Sequence, residues 1–101
     1  MFLALDYDDT YTKDPEFWDE FIIKAKESGH TVVCCTYRLE DERWPDVNND
    51  VKEDMYRMDV PIVFAAHYHN KWEAMQKNGY IPENFIWIDD NPQYITREHL
   101  L

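Results

Sequence analysis

Glycine is nearly absent: the 101 residues contain two, Gly29 and Gly79, so each marks a specific backbone position. Cations are also scarce. Ten Lys and Arg face 21 Asp and Glu, for a net charge of −11. Such a balance argues against non-specific binding to nucleic acid, which needs a cationic surface. There are two cysteines, Cys34 and Cys35, and they are adjacent. Neighbouring cysteines seldom close an unstrained disulfide, so they read as buried strand thiols in a reducing, cytoplasmic setting. No apolar run approaches the ~20 residues of a membrane span, and no membrane association is expected. The N-terminus has neither a basic n-region nor a small-residue cleavage site, and is not expected to be a signal peptide.

What is present is enough apolar material for one domain over residues 1–101: 45% hydrophobic and 16% aromatic. No repeat, low-complexity tract or linker interrupts it. FLALD, 2–6, is a short apolar run of the kind that forms a buried strand. Asp14 followed by Pro15 gives an N-cap and a first-turn proline. Phe17, Phe21, Ile22 and Ala25 then recur at helical spacing, and Gly29 stands where a C′ glycine belongs. TVVCCT, 31–36, is β-branched and apolar without polar alternation, as suits a parallel strand covered on both faces. A polar loop over 37–46 precedes a second helix marked by Val47, Val51, Met55 and Met58. PIVFAA, 61–66, is the third strand. Asn70 caps a third helix that carries Trp72 and Met75 inward and ends at Gly79. NFIWID, 84–89, is the fourth strand, and Asn91-Pro92 opens a last short helix.

Strand and helix alternate throughout. This pattern predicts a three-layer α/β/α, Rossmann-like fold with a small parallel sheet of about four strands and right-handed crossovers. Ligands of such sheets bind beyond the carboxyl ends of the strands. The first strand ends at Asp6, with Asp8 and Thr10 just past it. The second ends at Thr36, followed by Tyr37 and Arg38. The fourth ends at Asp89 and Asp90. Lys71 opens the helix that leads back to the fourth strand. A parallel sheet gathers all of these on one rim.

Four carboxylates at one edge repel each other. Two unit charges about 4 Å apart cost about 4 kcal/mol at an effective dielectric of 20. Either some are protonated or a cation neutralises them. Hard oxygen donors suit Mg²⁺, which keeps several waters and binds one or two carboxylates beside a phosphate. The hydroxyl of Thr36 and the ammonium of Lys71 are then suited to phosphate oxygens.

These four segments resemble the motifs of the haloacid dehalogenase (HAD) superfamily of aspartyl phosphotransferases. The first motif, an apolar strand running into Asp-x-Asp-x-Thr, is matched by Asp6-Tyr7-Asp8-Asp9-Thr10. The second, a strand ending in Thr or Ser, is matched at Thr36, and the third by Lys71. The fourth, a strand ending in acidic residues, is matched by FIWIDD at Asp89 and Asp90. All four stand in the family's order and cover most of the chain.

The resemblance implies a Mg²⁺-dependent phosphatase in which Asp6 is the nucleophile and Asp8 the general acid and then base. Carboxylate crowding is expected to raise the Asp8 pKa toward that role. By the same resemblance Thr36 and Lys71 would hold the phosphoryl oxygens. The metal would be bound by Asp6, the main-chain carbonyl of Asp8, and Asp89 or Asp90. Tyr7, Thr10, Tyr37 and Arg38 are candidates for phosphate or substrate contact. Trp44, in the same loop as Tyr37, is a further candidate.

Two features depart from the family pattern. Asp9 fills a position often taken by glycine. Thr10 lies too close to the first helix to admit a cap domain, and none fits after the third strand, so the resemblance is to a minimal, capless member. An open site of this kind is expected to take a large phosphorylated substrate, or to be enclosed by an oligomer partner.

Other readings stand beside these. A receiver-like domain also groups carboxylates, Thr and Lys at a strand rim, but there the Lys follows the last motif strand. A catalytically idle phosphate- or metal-binding relative is the other rival, and the intact Asp8 argues against it. Lys77, later on the same helix, competes with Lys71. Trp18, Trp72 and Trp87 read as core. His67, His69 and the cysteine pair lack the spacing of a structural zinc site. The acidic run in 40–54 reads as a solvated face.

Overall fold

A computed structural model of the chain describes residues 1–97. Its sheet has four strands: β1 (Phe2–Leu5), β2 (Thr31–Thr36), β3 (Ile62–Phe64) and β4 (Phe85–Ile88). Their order across the sheet is β3-β2-β1-β4, and every pairing is parallel. Helices α1 (Pro15–Glu27), α2 (Asn49–Tyr56), α3 (Lys71–Lys77) and α4 (Gln93–Thr96) connect or follow them.

The handedness of the crossovers explains the layers. The chain steps one way across the sheet from β1 to β2 to β3, then jumps back to the far side of β1 for β4. Right-handed connections therefore put α1 and α2 on one face and α3 on the other. The two cores agree. Ile22 and Ala25 of α1 and Val51 and Met55 of α2 pack with Leu3, Leu5, Val32 and Cys34. Ala74 and Met75 of α3 pack with Ala4, Val33, Cys35, Val63 and Phe85. Successive strand residues alternate between the cores, so β1 and β2 are covered on both sides and need no polar residue. The sheet reverses its direction of growth between β1 and β4, and the carboxyl ends of those two strands are where a cleft opens.

Local signals fix the helix ends. The Asp14 carboxylate accepts from the Phe17 N–H at 3.2 Å, the N-cap bond that Pro15 at the first turn permits. Asn70 does the same for Glu73 at 2.8 Å. Gly29 and Gly79 follow α1 and α3 with φ of +84° and +89°, the left-handed conformation that only glycine enters freely.

Several expected positions differ. Phe17 is exposed, because the stripe of α1 that meets the sheet runs through Trp18, Phe21, Ile22 and Ala25 instead. Val47 is also exposed and precedes α2 rather than belonging to it. Trp18, Trp72 and Trp87 are half-buried at the margins of the cores, the last two stacked with ring centroids 6.3 Å apart. The strands are shorter than the apolar runs, so Asp6 and Asp89 each stand one residue past a strand end. No helix among the described residues is long and apolar enough to cross a membrane.

Candidate active site

The turn after β1 is built to present Asp6. Its N–H still donates to the Ile88 carbonyl at 2.9 Å, so the residue is held by the sheet although the strand has ended. The chain then reverses through Asp9 at φ +62°, with the Asp9 N–H bonded to Thr12 Oγ1 at 2.9 Å. Asp is among the few non-glycine residues that accept that conformation, which is how the turn forms without glycine.

Three carboxylates meet beside this turn. Asp6, Asp89 and Asp90 each offer an oxygen, and the three oxygens lie within 4.8 Å of one another. Lys71, at the first turn of α3, sends its ammonium into the group. Nζ donates to Asp6 Oδ1 at 2.8 Å and to Asp89 Oδ2. Lys71 is 2% exposed and Asp6 6% exposed, so this is a buried ion pair. Thr10 ties the ends of β1 and β4 together. Its hydroxyl accepts from the Asp90 N–H at 3.2 Å and faces Asp6 Oδ2 at 3.0 Å and Asp90 Oδ1 at 3.3 Å. A hydroxyl has one proton, so only one of the two carboxylates receives it at a time. The Asn91 N–H donates to Asp89 Oδ1 at 2.9 Å.

The electrostatics follow from burial. Burial pushes the Asp6 carboxyl up to about 6, and contact with Asp90 and the charge of Asp89 add to it against the opposing pull of Lys71. Burial disfavours the Lys71 ammonium, but Asp6 and Asp89 outweigh that and hold it above its ordinary value. Three carboxylates and one ammonium leave two negative charges. A divalent cation with a preference for oxygen donors matches both the charge and the donor set, so Mg²⁺ fits these residues.

The cluster forms the floor of a cleft of about 260 Å³ lined by Asp6, Asp8, Asp9, Tyr37, Lys71, Asp89, Asp90, Asn91 and Tyr94. Tyr37 and Tyr94 stack at one side, ring centroids 5.8 Å apart. Asn91 and Tyr94 were not anticipated as site residues. The available signal was their position directly after the carboxyl end of β4.

Other expected residues lie elsewhere. Tyr7 does not face the cleft. It is buried in the α1/α2 core, stacked on Tyr11, and its hydroxyl donates to Asp54 of α2 at 2.6 Å. Thr36 ends β2 as expected but does not line the cleft, and its hydroxyl is buried without a hydrogen-bond partner. Thr10 serves the carboxylates rather than the open cleft. Trp44 is 60% exposed and lines a neighbouring groove.

Arg38 is already occupied. Its Nε and Nη2 donate to the two oxygens of Asp8 at 2.8 and 2.7 Å. Nη1 and Nη2 donate to Asp50 at 2.7 and 3.0 Å, and the guanidinium lies 5.1 Å over the Tyr7 ring. Bonding to Asp8 and then to Asp50 holds the Arg38 pKa above its usual range. The Asp8 side chain is therefore outside the metal-type cluster, against a cation. The carboxylates that do crowd together are Asp6, Asp89 and Asp90, without Asp8. Lys77 is exposed and takes no part in the cluster.

No protein-family profile matches the chain, and no curated protein or solved structure shows significant similarity to it.

Proposed function

We propose that the protein hydrolyses phosphate monoesters with Mg²⁺, through an acyl phosphate on Asp6, as a HAD-type phosphatase without a cap. The observation that carries this reading is the buried Lys71 ammonium bonded to Asp6 and Asp89, two of three carboxylates whose oxygens lie within 4.8 Å of one another. Asp6, Asp89 and Asp90 would hold the metal. Asp90 is the most exposed of the three, whereas both Asp89 oxygens already accept protein hydrogen bonds. When bound, Mg²⁺ supplies positive charge against the phosphate, offsetting the repulsion between it and the carboxylates.

The protein's own groups then divide the work. An Asp6 oxygen forms the new bond to phosphorus as the ester oxygen leaves. Both Asp6 oxygens already have partners, but each carboxylate oxygen can serve more than one. Lys71 stabilises the charge on the transferring group. Asp8, once released from Arg38 and protonated from solvent, gives that proton to the departing alcohol oxygen, then accepts one from the water that attacks phosphorus. Phosphate leaves and Asp6 is regenerated.

A second reading has one observation in its favour. Asp8 is held by Arg38 and turned from the cluster, as a catalytically idle phosphate-binding module would allow. A panel of phosphate esters, assayed for phosphate release with and without MgCl₂, separates the two. Mg²⁺-dependent turnover is the expected result. Phosphate-analogue binding with no turnover of any ester supports the idle module.

A further inference from the structure

The Asp8–Arg38 pair stands between two depressions. Asp8 lines the 260 Å³ cleft that holds Asp6 and Lys71. Arg38 and Asp50 line an adjoining groove of about 470 Å³, with Leu39, Trp44 and Val47 on its walls. The two residues that meet at 2.7 Å are thus the partition between the catalytic groups and a more apolar space.

Geometry makes that partition exchangeable. Nε and Nη2 of Arg38 form one edge of the guanidinium, and both Asp8 oxygens sit on it. Such an edge matches any carboxylate or phosphate that presents two oxygens. The other edge belongs to Asp50, through Nη1 and Nη2, and the Tyr7 ring supports one face. If Asp8 departs, Arg38 keeps its place and a carboxylate partner. Asp8 has a reason to depart, since an oxygen held in the fork cannot also carry a proton to an ester oxygen. Both acids are about half exposed, so the exchange does not strand a buried charge.

We propose that Asp8 is a placeholder on Arg38, and that the substrate is a phosphate ester bearing a second anionic group. That group takes the Nε/Nη2 edge and frees Asp8 for proton transfer. The inference rests on the phosphatase reading of the Asp6 cleft and names the class of ester it accepts. A carboxylate and a second phosphate share the required chemistry.

The test is a binding titration with Mg²⁺ present, using non-hydrolysable phosphonates in matched pairs. One of each pair is a plain alkyl phosphonate, and the other carries a terminal carboxylate or a second phosphonate. Wild type should bind the second-anion member of at least one pair about tenfold more tightly, the scale of one bidentate charged contact. Arg38→Met should erase that preference, and Arg38→Lys, which keeps the charge but not the fork, should restore little of it. Asp8→Asn removes a negative charge from the cleft wall, so both members should bind more tightly, and the second-anion member should gain severalfold more than the plain phosphonate because the placeholder no longer competes. Circular dichroism of each variant confirms folding. Plain phosphonate binding without any preference, or a preference that survives Arg38→Met, overturns the exchange and leaves the phosphatase reading standing. Failure of every phosphonate to bind wild type removes the phosphate site and the exchange with it.

Discussion

Replacing Lys71 with methionine should be among the most damaging single changes outside the apolar core. Lys71 is 2% exposed, and its ammonium is 2.8 Å from Asp6 Oδ1. At an effective dielectric of 20 that contact is worth about 6 kcal/mol of gross attraction, before the cost of burying the ammonium is subtracted. Methionine fills most of the space with a flexible apolar chain, so the cavity contribution is small. What remains is two carboxylates, Asp6 and Asp89, without their cation. Breaking a buried pair from one side costs about 3–5 kcal/mol. A domain of this size has roughly 5–15 kcal/mol in all, so Lys71→Met should lose a large share of its stability in metal-free buffer near neutral pH. Urea unfolding at matched ionic strength reads the loss directly. MgCl₂ should recover part of it, since a cation held by the same carboxylates adds about 2.7 kcal/mol at one hundred times its Kd. Lys77→Met, on the exposed face of the same helix, is the control and should stay within about 0.5 kcal/mol of wild type. A loss below about 1 kcal/mol for Lys71→Met, or a Lys71→Met stability no higher in MgCl₂ than in matched NaCl, would refute the buried-cation account.

Other predictions concern the same rim. The Asp6 carboxyl is raised from 3.8 to about 6 by burial, so the folded state binds its proton more tightly than the unfolded state. Its contribution is fully favourable below about pH 4 and is lost as pH rises through about 6, a change of up to about 3 kcal/mol. Metal-free wild type should therefore lose stability against Asp6→Asn over that window in urea titrations, and Mg²⁺ should remove the difference; parallel pH curves would contradict it. At Asp9, φ is +62°. Asp9→Gly should be nearly neutral in thermal melts, whereas Asp9→Val should cost about 1–2 kcal/mol, the penalty of a left-handed conformation for a bulky residue. Equal melting temperatures for the two variants would show that the turn relaxes. Generic aryl phosphates should show high KM, because the open cleft offers a small ester few remote contacts. Saturation at low micromolar concentration would count against an uncovered site.

Much of this was legible in the chain because it is locally encoded. Asp14-Pro15, Asn70 and the two glycines set helix ends by bonds that span a few residues. The apolar runs set the strands, and the alternation of elements made the sheet parallel. A parallel sheet alone is enough to bring Asp6, Asp89, Asp90 and Lys71 to one rim. Contacts between distant side chains were not legible. Tyr7 looked like part of a catalytic motif, yet its partner is Asp54, 47 residues on. Arg38 looked free for substrate, but Asp8 and Asp50 reach it from the first turn and from α2. Periodicity also misplaced Phe17 and Val47, since spacing reports a stripe without saying how wide a band of the helix the sheet covers.

In the proposed reaction, phosphate passes through Asp6. The most direct measurement is intact-protein mass spectrometry of Asp8→Asn, acid-quenched within seconds of mixing with Mg²⁺ and a phosphate donor that has a good leaving group. Such a donor bypasses the need for an acid, and loss of Asp8 should slow hydrolysis of the acyl phosphate by about 10²–10⁴. One added phosphate should appear that maps to Asp6 and is absent from Asp6→Asn, which should also show no turnover. A label on another residue, or wild-type turnover by Asp6→Asn, would contradict it.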